Sequence, residues 1–165
     1  MKQLLLIAAS VLLLSACSKK GDPGTANVIY SKWFKPASYT KDTVFGIWGF
    51  KHNQPAPEIT QQILDTAAIL TFARLEGYNP TVWATGQVGQ LPVTVTYMQG
   101  GVTNDTWTAQ YTPGNLRIRF QNDRNIYTTI ANGHSFRYII IPGARLGRQA
   151  PMTYEEVCRK YNIAE

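Results

Sequence analysis

The feature that most constrains this chain is a two-residue alternation that continues through a turn. From Thr106 to Thr112, Trp107, Ala109 and Tyr111 alternate with Thr108 and Gln110, and beyond Pro113-Gly114, Leu116, Ile118 and Phe120 alternate with Arg117, Arg119 and Gln121. Successive side chains of a strand face opposite sides, so the pattern describes two strands with one apolar face each. Proline presets φ at the first turn position and glycine accepts the positive φ that follows, which folds the two strands back on each other as a hairpin. A sheet with one apolar face needs a second layer to cover it.

The remaining patterns predict that layer. Val28–Lys35 favours extended backbone, and Thr43–Lys51 is apolar on both faces with Gly46 and Gly49 interrupting it, as in a buried strand with a bulge. Leu91–Met98 sets Val93, Val95 and Tyr97 against Thr94 and Thr96, while Ile126–Ile130 and Ser135–Ile141 supply two more strands. A short helix is expected over about 57–66, opening at Pro57 with Ile59, Ile63 and Leu64 on one side, followed by a strand over 68–75. A second is expected over about 153–161, where Thr153-x-x-Glu156 forms a capping box and Arg159 and Lys160 suit the C-terminal dipole. The predicted class is mainly β (α+β): an antiparallel β-sandwich-like domain with two short helices.

At the N-terminus Lys2 precedes an apolar run from Leu4 to Leu14, ending in Leu14-Ser15-Ala16-Cys17. This is the layout of a secretion signal, and the run is shorter than the roughly 20 residues needed to span a bilayer. Ser15 and Ala16 are small enough for a peptidase cleft, and the thiol after them is the side chain that takes diacylglycerol in thioether linkage. The four residues resemble the lipobox of bacterial lipoproteins. The expected organisation is a signal peptide over 1–16, a lipidated polar tether over 17–26 and one globular domain over 27–165. Removing residues 1–16 leaves 149 and takes the formal net charge from +6 to +5. With Cys17 committed to lipid, Cys158 has no partner for a disulfide, and the fold must rest on its core.

The tether contains two Gly-X-Y triplets, Gly21-Asp22-Pro23 and Gly24-Thr25-Ala26, followed directly by Asn27-Val28-Ile29-Tyr30-Ser31-Lys32-Trp33. This arrangement resembles the collagen-like lipoproteins of Gram-negative bacteria, in which a lipobox, Gly-X-Y triplets and a globular domain opening with a similar run follow in that order. The likeness covers the N-terminal third and, more loosely, 57–75, 115–120, 136–143 and the last helix. It implies a lipid-anchored envelope protein with a β-rich domain, and supplies no activity to carry over. Two triplets are too few to wind a triple helix.

A mildly basic exported domain suits anionic headgroups, lipopolysaccharide, acidic glycans or an envelope protein, and no nucleic-acid partner is expected. His52 and His134 are far apart, no His-Glu-x-x-His or Cys-x-x-Cys run is present, and nothing pairs Cys158 with either histidine; no catalytic site, cofactor or metal site is expected. Asn122-Asp123-x-Asn125 offers oxygen ligands suited to calcium but reads as a turn. Two features suit binding. Trp33, Trp48, Trp83 and Trp107 are numerous, with Trp83, near Pro80, expected to be exposed. Arg117 and Arg119 point the same way from one strand and Arg137 occupies a polar position of another, so neighbouring strands would place three guanidiniums on one surface. The expected function is a non-enzymatic binding or structural module, anchored by Cys17 to the outer membrane. It is expected to face the periplasm because Ser18-Lys19-Lys20 carries no acidic cluster. The alternatives are a carbohydrate-binding module with aligned exposed tryptophans and a hydrolase in which His52 or His134 meets a nucleophile and a carboxylate.

Overall fold

The computed structural model describes residues 27–143 and 152–165. The signal, Cys17 and the Gly-X-Y triplets lie outside the described residues. Within them the elements run β1 (Ile29–Tyr30), β2 (Thr40–Lys41), β3 (Gly49–Pro55), α1 (Gln61–Thr66), β4 (Ala67–Arg74), β5 (Val88–Gln90), β6 (Val93–Met98), β7 (Val102–Thr112), β8 (Asn115–Asn122), β9 (Ser135–Pro142) and α2 (Tyr154–Tyr161). They build two antiparallel sheets, ordered β1-β9-β4-β5 and β2-β3-β8-β7-β6. The fold is therefore a mainly β, sandwich-like α+β architecture, as the alternation predicts.

The hairpin around Pro113-Gly114 is the frame of the five-stranded sheet. Thr112 pairs with Asn115 and Asp105 with Asn122, and Gly114 takes φ 76° at the turn. Leu116, Ile118 and Phe120 turn inward with Trp107, where they meet Ile69, Ala73, Phe136, Tyr138 and Ile140 of the four-stranded sheet. Burying side chains of this size contributes about 1.5–3 kcal/mol each, which makes the interface between the sheets the main source of stability. Arg117, Arg119 and Gln121 are left on the outer face.

The four-stranded sheet is covered on both sides, and its sequence shows it. In β4, Ile69 and Ala73 face the other sheet while Ala68, Leu70 and Phe72 face α2; in β9, Phe136, Tyr138 and Ile140 take the first side and Ile139 and Ile141 the second. Strands buried on both faces read as continuous apolar runs rather than as alternation. Helix α2 supplies Tyr154, Val157 and Cys158 to this second layer. Its N-terminus is closed by the expected capping box, Thr153 Oγ1 accepting from Glu156 N–H and the Glu156 carboxylate accepting from Thr153 N–H. Cys158 is buried and has no disulfide partner among the described residues.

Three local expectations are corrected. Thr43–Lys51 is not one bulged strand: Phe45 and Gly46 both take positive φ (47° and 80°), so the chain reverses there and β2 pairs with β3, leaving Phe45 fully exposed at the hairpin tip. Ile126–Ile130 is not a strand. Asn125 ties this stretch to the hairpin tip by accepting from Trp48 N–H at 2.7 Å and donating to Gly46 O at 2.9 Å, and residues 126–130 follow irregular backbone. Helix α1 begins at Gln61 rather than Pro57, with Thr60 as N-cap, because residues 56–60 turn to bury Ala56 and Ile59 completely.

Candidate functional site

The inward register of β7 does not stop at Trp107. One step back on the same face stands Asp105, 1% exposed, and behind it buried Thr103. A carboxylate on the core face of a strand is costly unless donors surround it. Here they do. Across the β7–β8 pairing, Asn122 Nδ2 donates to Asp105 Oδ1 at 2.7 Å; Tyr78 OH and Tyr127 OH donate to Oδ2 at 2.8 and 3.1 Å. Tyr127 spends its proton on Asp105, so in the 2.7 Å contact between Tyr97 OH and Tyr127 OH the donor is Tyr97. Trp107 Nε1–H donates to Tyr78 OH at 3.2 Å.

Each member is positioned by its own segment. Tyr97 projects from β6, Tyr78 from the connection after β4, and Tyr127 from the stretch between β8 and β9. Asn122 holds that stretch in place, its Oδ1 accepting from Arg124 N–H at 3.0 Å and Ile126 N–H at 3.3 Å. Asn122-Asp123-x-Asn125 thus works as a turn, with Asp123 accepting from the backbone and side-chain amides of Asn104. Edge-on ring contacts brace the phenols: Tyr78 against Tyr97 at 6.1 Å, and Tyr127 against Phe120 at 5.3 Å.

Asp105, Trp107 and the three tyrosines line a cavity of about 710 Å³, a size that suits a small organic ligand. Val82, Met98 and Ile130 line it too, and the first two are exposed. His134 lies beside Trp107 with ring centroids 4.6 Å apart, and its Nδ1 accepts from Glu76 N–H at 3.0 Å. That bond places the ring proton on Nε2, and burial lowers the His134 pKa from 6.5 to about 4, so the ring is a neutral donor at neutral pH. Burial also raises the Asp105 carboxyl, against the opposing pull of Asn122 and the tyrosines, and raises the hydroxyls of Tyr78, Tyr97 and Tyr127.

The residues singled out from the sequence fall elsewhere. Arg117 and Arg119 do share the outer face of the five-stranded sheet, beside a shallow groove of about 430 Å³. Arg117 donates to Asn53 Oδ1 at 3.0 Å, and Arg119 pairs with Asp42 at 3.0 Å. Arg137 is not with them. It belongs to the other sheet, on the side facing α2, and is 4% exposed. Its guanidinium donates to Tyr154 OH at 2.5 Å, Ala164 O at 2.6 Å and Ser31 O at 3.0 Å, which makes it a clamp between β9, α2, the C-terminal residues after α2 and the N-terminal segment. Trp83 is likewise buried, not exposed: at 6% exposure its ring lies across Gly89, whose missing side chain makes the room. Trp107 is also buried, so the tryptophans do not form an exposed row.

Asp105 and the three tyrosines were not singled out from the sequence as a group. The available signal was the alternation itself, which extends from Trp107 back through Asp105 to Thr103 and so places an acid on the core face. No protein-family model matches the chain, and no curated protein or solved structure matches it.

Proposed function

We propose that this chain is an envelope lipoprotein whose β-sandwich is a non-enzymatic binding module, with its ligand held in the cavity above Asp105. The observation that carries this reading is a buried carboxylate supplied with three donors at the base of an aromatic cavity. Such a site is expensive to build, since Thr103, Asp105 and Asn122 occupy positions that apolar side chains fill elsewhere on the same strands; the network fastens the segments of Tyr78 and Tyr127 to β7 and at the same time leaves a carboxylate beside a cavity. Neither alternative gains comparable support. No serine, threonine or cysteine side chain hydrogen-bonds His52 or His134 among the described residues, and Cys158 packs in the layer beneath α2.

The lipobox supports anchoring through Cys17 to the outer membrane with the domain in the periplasm. On the outer face of the five-stranded sheet Arg119 is paired with Asp42 while, among the described residues, Arg117 contacts only the neutral Asn53, so contact with anionic lipopolysaccharide or acidic glycan would fall chiefly to Arg117. Cys17→Ala should move the protein from the detergent phase to the aqueous phase on phase partitioning; a variant that partitions like the wild type would place the anchor elsewhere. For the cavity, a fragment set of mixed charge is titrated into the isotopically labelled protein purified in detergent. Shifts should concentrate on Tyr78, Tyr97, Tyr127 and His134, and a cavity that responds to no fragment would refute the binding reading.

A further inference from the structure

We infer that the ligand of this cavity carries an alkylammonium group, seated against the phenolic oxygens above Asp105. The inference rests on the binding reading and adds the charge of what is bound. Its first support is the direction of the protons. Tyr97 donates to Tyr127, and Tyr127 and Tyr78 donate to Asp105, so every phenolic proton is spent inward on the carboxylate. What these hydroxyls have left for a visitor is lone pairs. Oxygen lone pairs polarised by a carboxylate accept from N–H donors, and cationic donors are held most strongly.

The second support is the charge of the lining. The chain carries a net charge of +6, yet among the described residues no lysine or arginine lines the cavity, whereas two carboxylates, Asp105 and Glu76, do. Both ion pairs among the described residues go to Asp42, so Asp105 has no cationic partner there. Arg124 donates to Gln99 O at 2.6 Å and Thr103 Oγ1 at 3.4 Å, keeps its charge there, and is not among the residues that line the cavity. The third support is the wall. Tyr78, Tyr97 and Tyr127 line the same space with Trp107, and aromatic rings attract organic cations most strongly when water is excluded. The volume exceeds that of an ammonium head, and the apolar surface of Val82, Met98 and Ile130 suits the carbon body behind it.

The test compares n-butylammonium with n-butanol, which share a carbon chain and differ in the charge of the head, by titration into the labelled full-length protein in detergent at neutral pH. The ammonium should bind at least ten-fold more tightly, with shifts at Tyr97, Tyr127 and His134. Asp105→Asn should abolish the preference. Should that variant fail to fold, Tyr97→Phe, which removes one lone-pair donor from a half-buried side chain, should reduce it several-fold. Equal binding of alcohol and ammonium would overturn the cation inference while leaving the cavity a ligand site. Binding of neither, with no shift from any fragment, would overturn both. A folded Asp105→Asn protein that keeps the ten-fold preference would also overturn the inference.

Discussion

Replacing Arg137 separates a clamp inside the fold from a residue of a binding surface. Arg137→Met keeps the unbranched stem out to about the position of Nε and removes the three donations to Tyr154 OH, Ala164 O and Ser31 O. Hydrogen bonds from a charged donor contribute about 1.5–3 kcal/mol each, and the variant leaves buried acceptors without a partner. Part of that loss is offset, because no guanidinium then has to be desolvated, and Arg137 has no carboxylate partner among the described residues. The net cost is about 3–4 kcal/mol. For a domain of this size each kcal/mol lowers Tm by about 3 °C, so thermal unfolding followed by circular dichroism should show a fall of about 10 °C. Arg117→Met, which loses one exposed contact to Asn53, should cost under about 1 kcal/mol. The reasoning fails if Arg137→Met melts within about 2 °C of the wild type, or if the two substitutions cost the same.

Two further outcomes follow from buried groups. Burial holds His134 at about 4 against an ordinary 6.5, so the unfolded chain takes up a proton that the folded one refuses. This contribution is intact above pH 6.5 and is lost as pH falls toward 4, amounting to about 2 kcal/mol between pH 7 and 5. Asp105, whose carboxyl is raised, acts in the opposite sense on acidification, and Asp42 and Asp123, both lowered, act in the same sense as His134. The diagnostic is therefore the stability difference between wild type and His134→Gln in urea, which should shrink by that amount from pH 7 to 5; a constant difference would refute it. Gly89→Ala would place a methyl 2.5 Å from Cη2 of Trp83 and should cost about 1–3 kcal/mol in the same assay, with Trp83→Phe restoring most of it in the double variant.

The sequence by itself determined those elements whose signal is local. Alternation about Pro113-Gly114 specifies β7 and β8, because side-chain direction in a strand depends on position alone, and Thr153 and Glu156 specify the start of α2, because a cap is completed within one turn. The apolar runs of β4 and β9 were legible as strands, but not the reason both faces are apolar. Only the tertiary structure decided where Arg137 points: β9 lies between β1 and β4 rather than beside β8, so its polar-looking position faces α2 instead of solvent. The hairpin tip was hidden because Phe45 adopts a left-handed conformation for which Phe-Gly is no ordinary signal, and Asn125 completes it from far along the chain. The cavity was the least legible feature. Its carboxylate was implied by the alternation of one strand, but Tyr78, Tyr97, and the pair Tyr127 and His134 reach it from three separate segments. Contacts between groups so distant in sequence leave no periodicity to read; they exist only once two sheets have packed and brought their ends together.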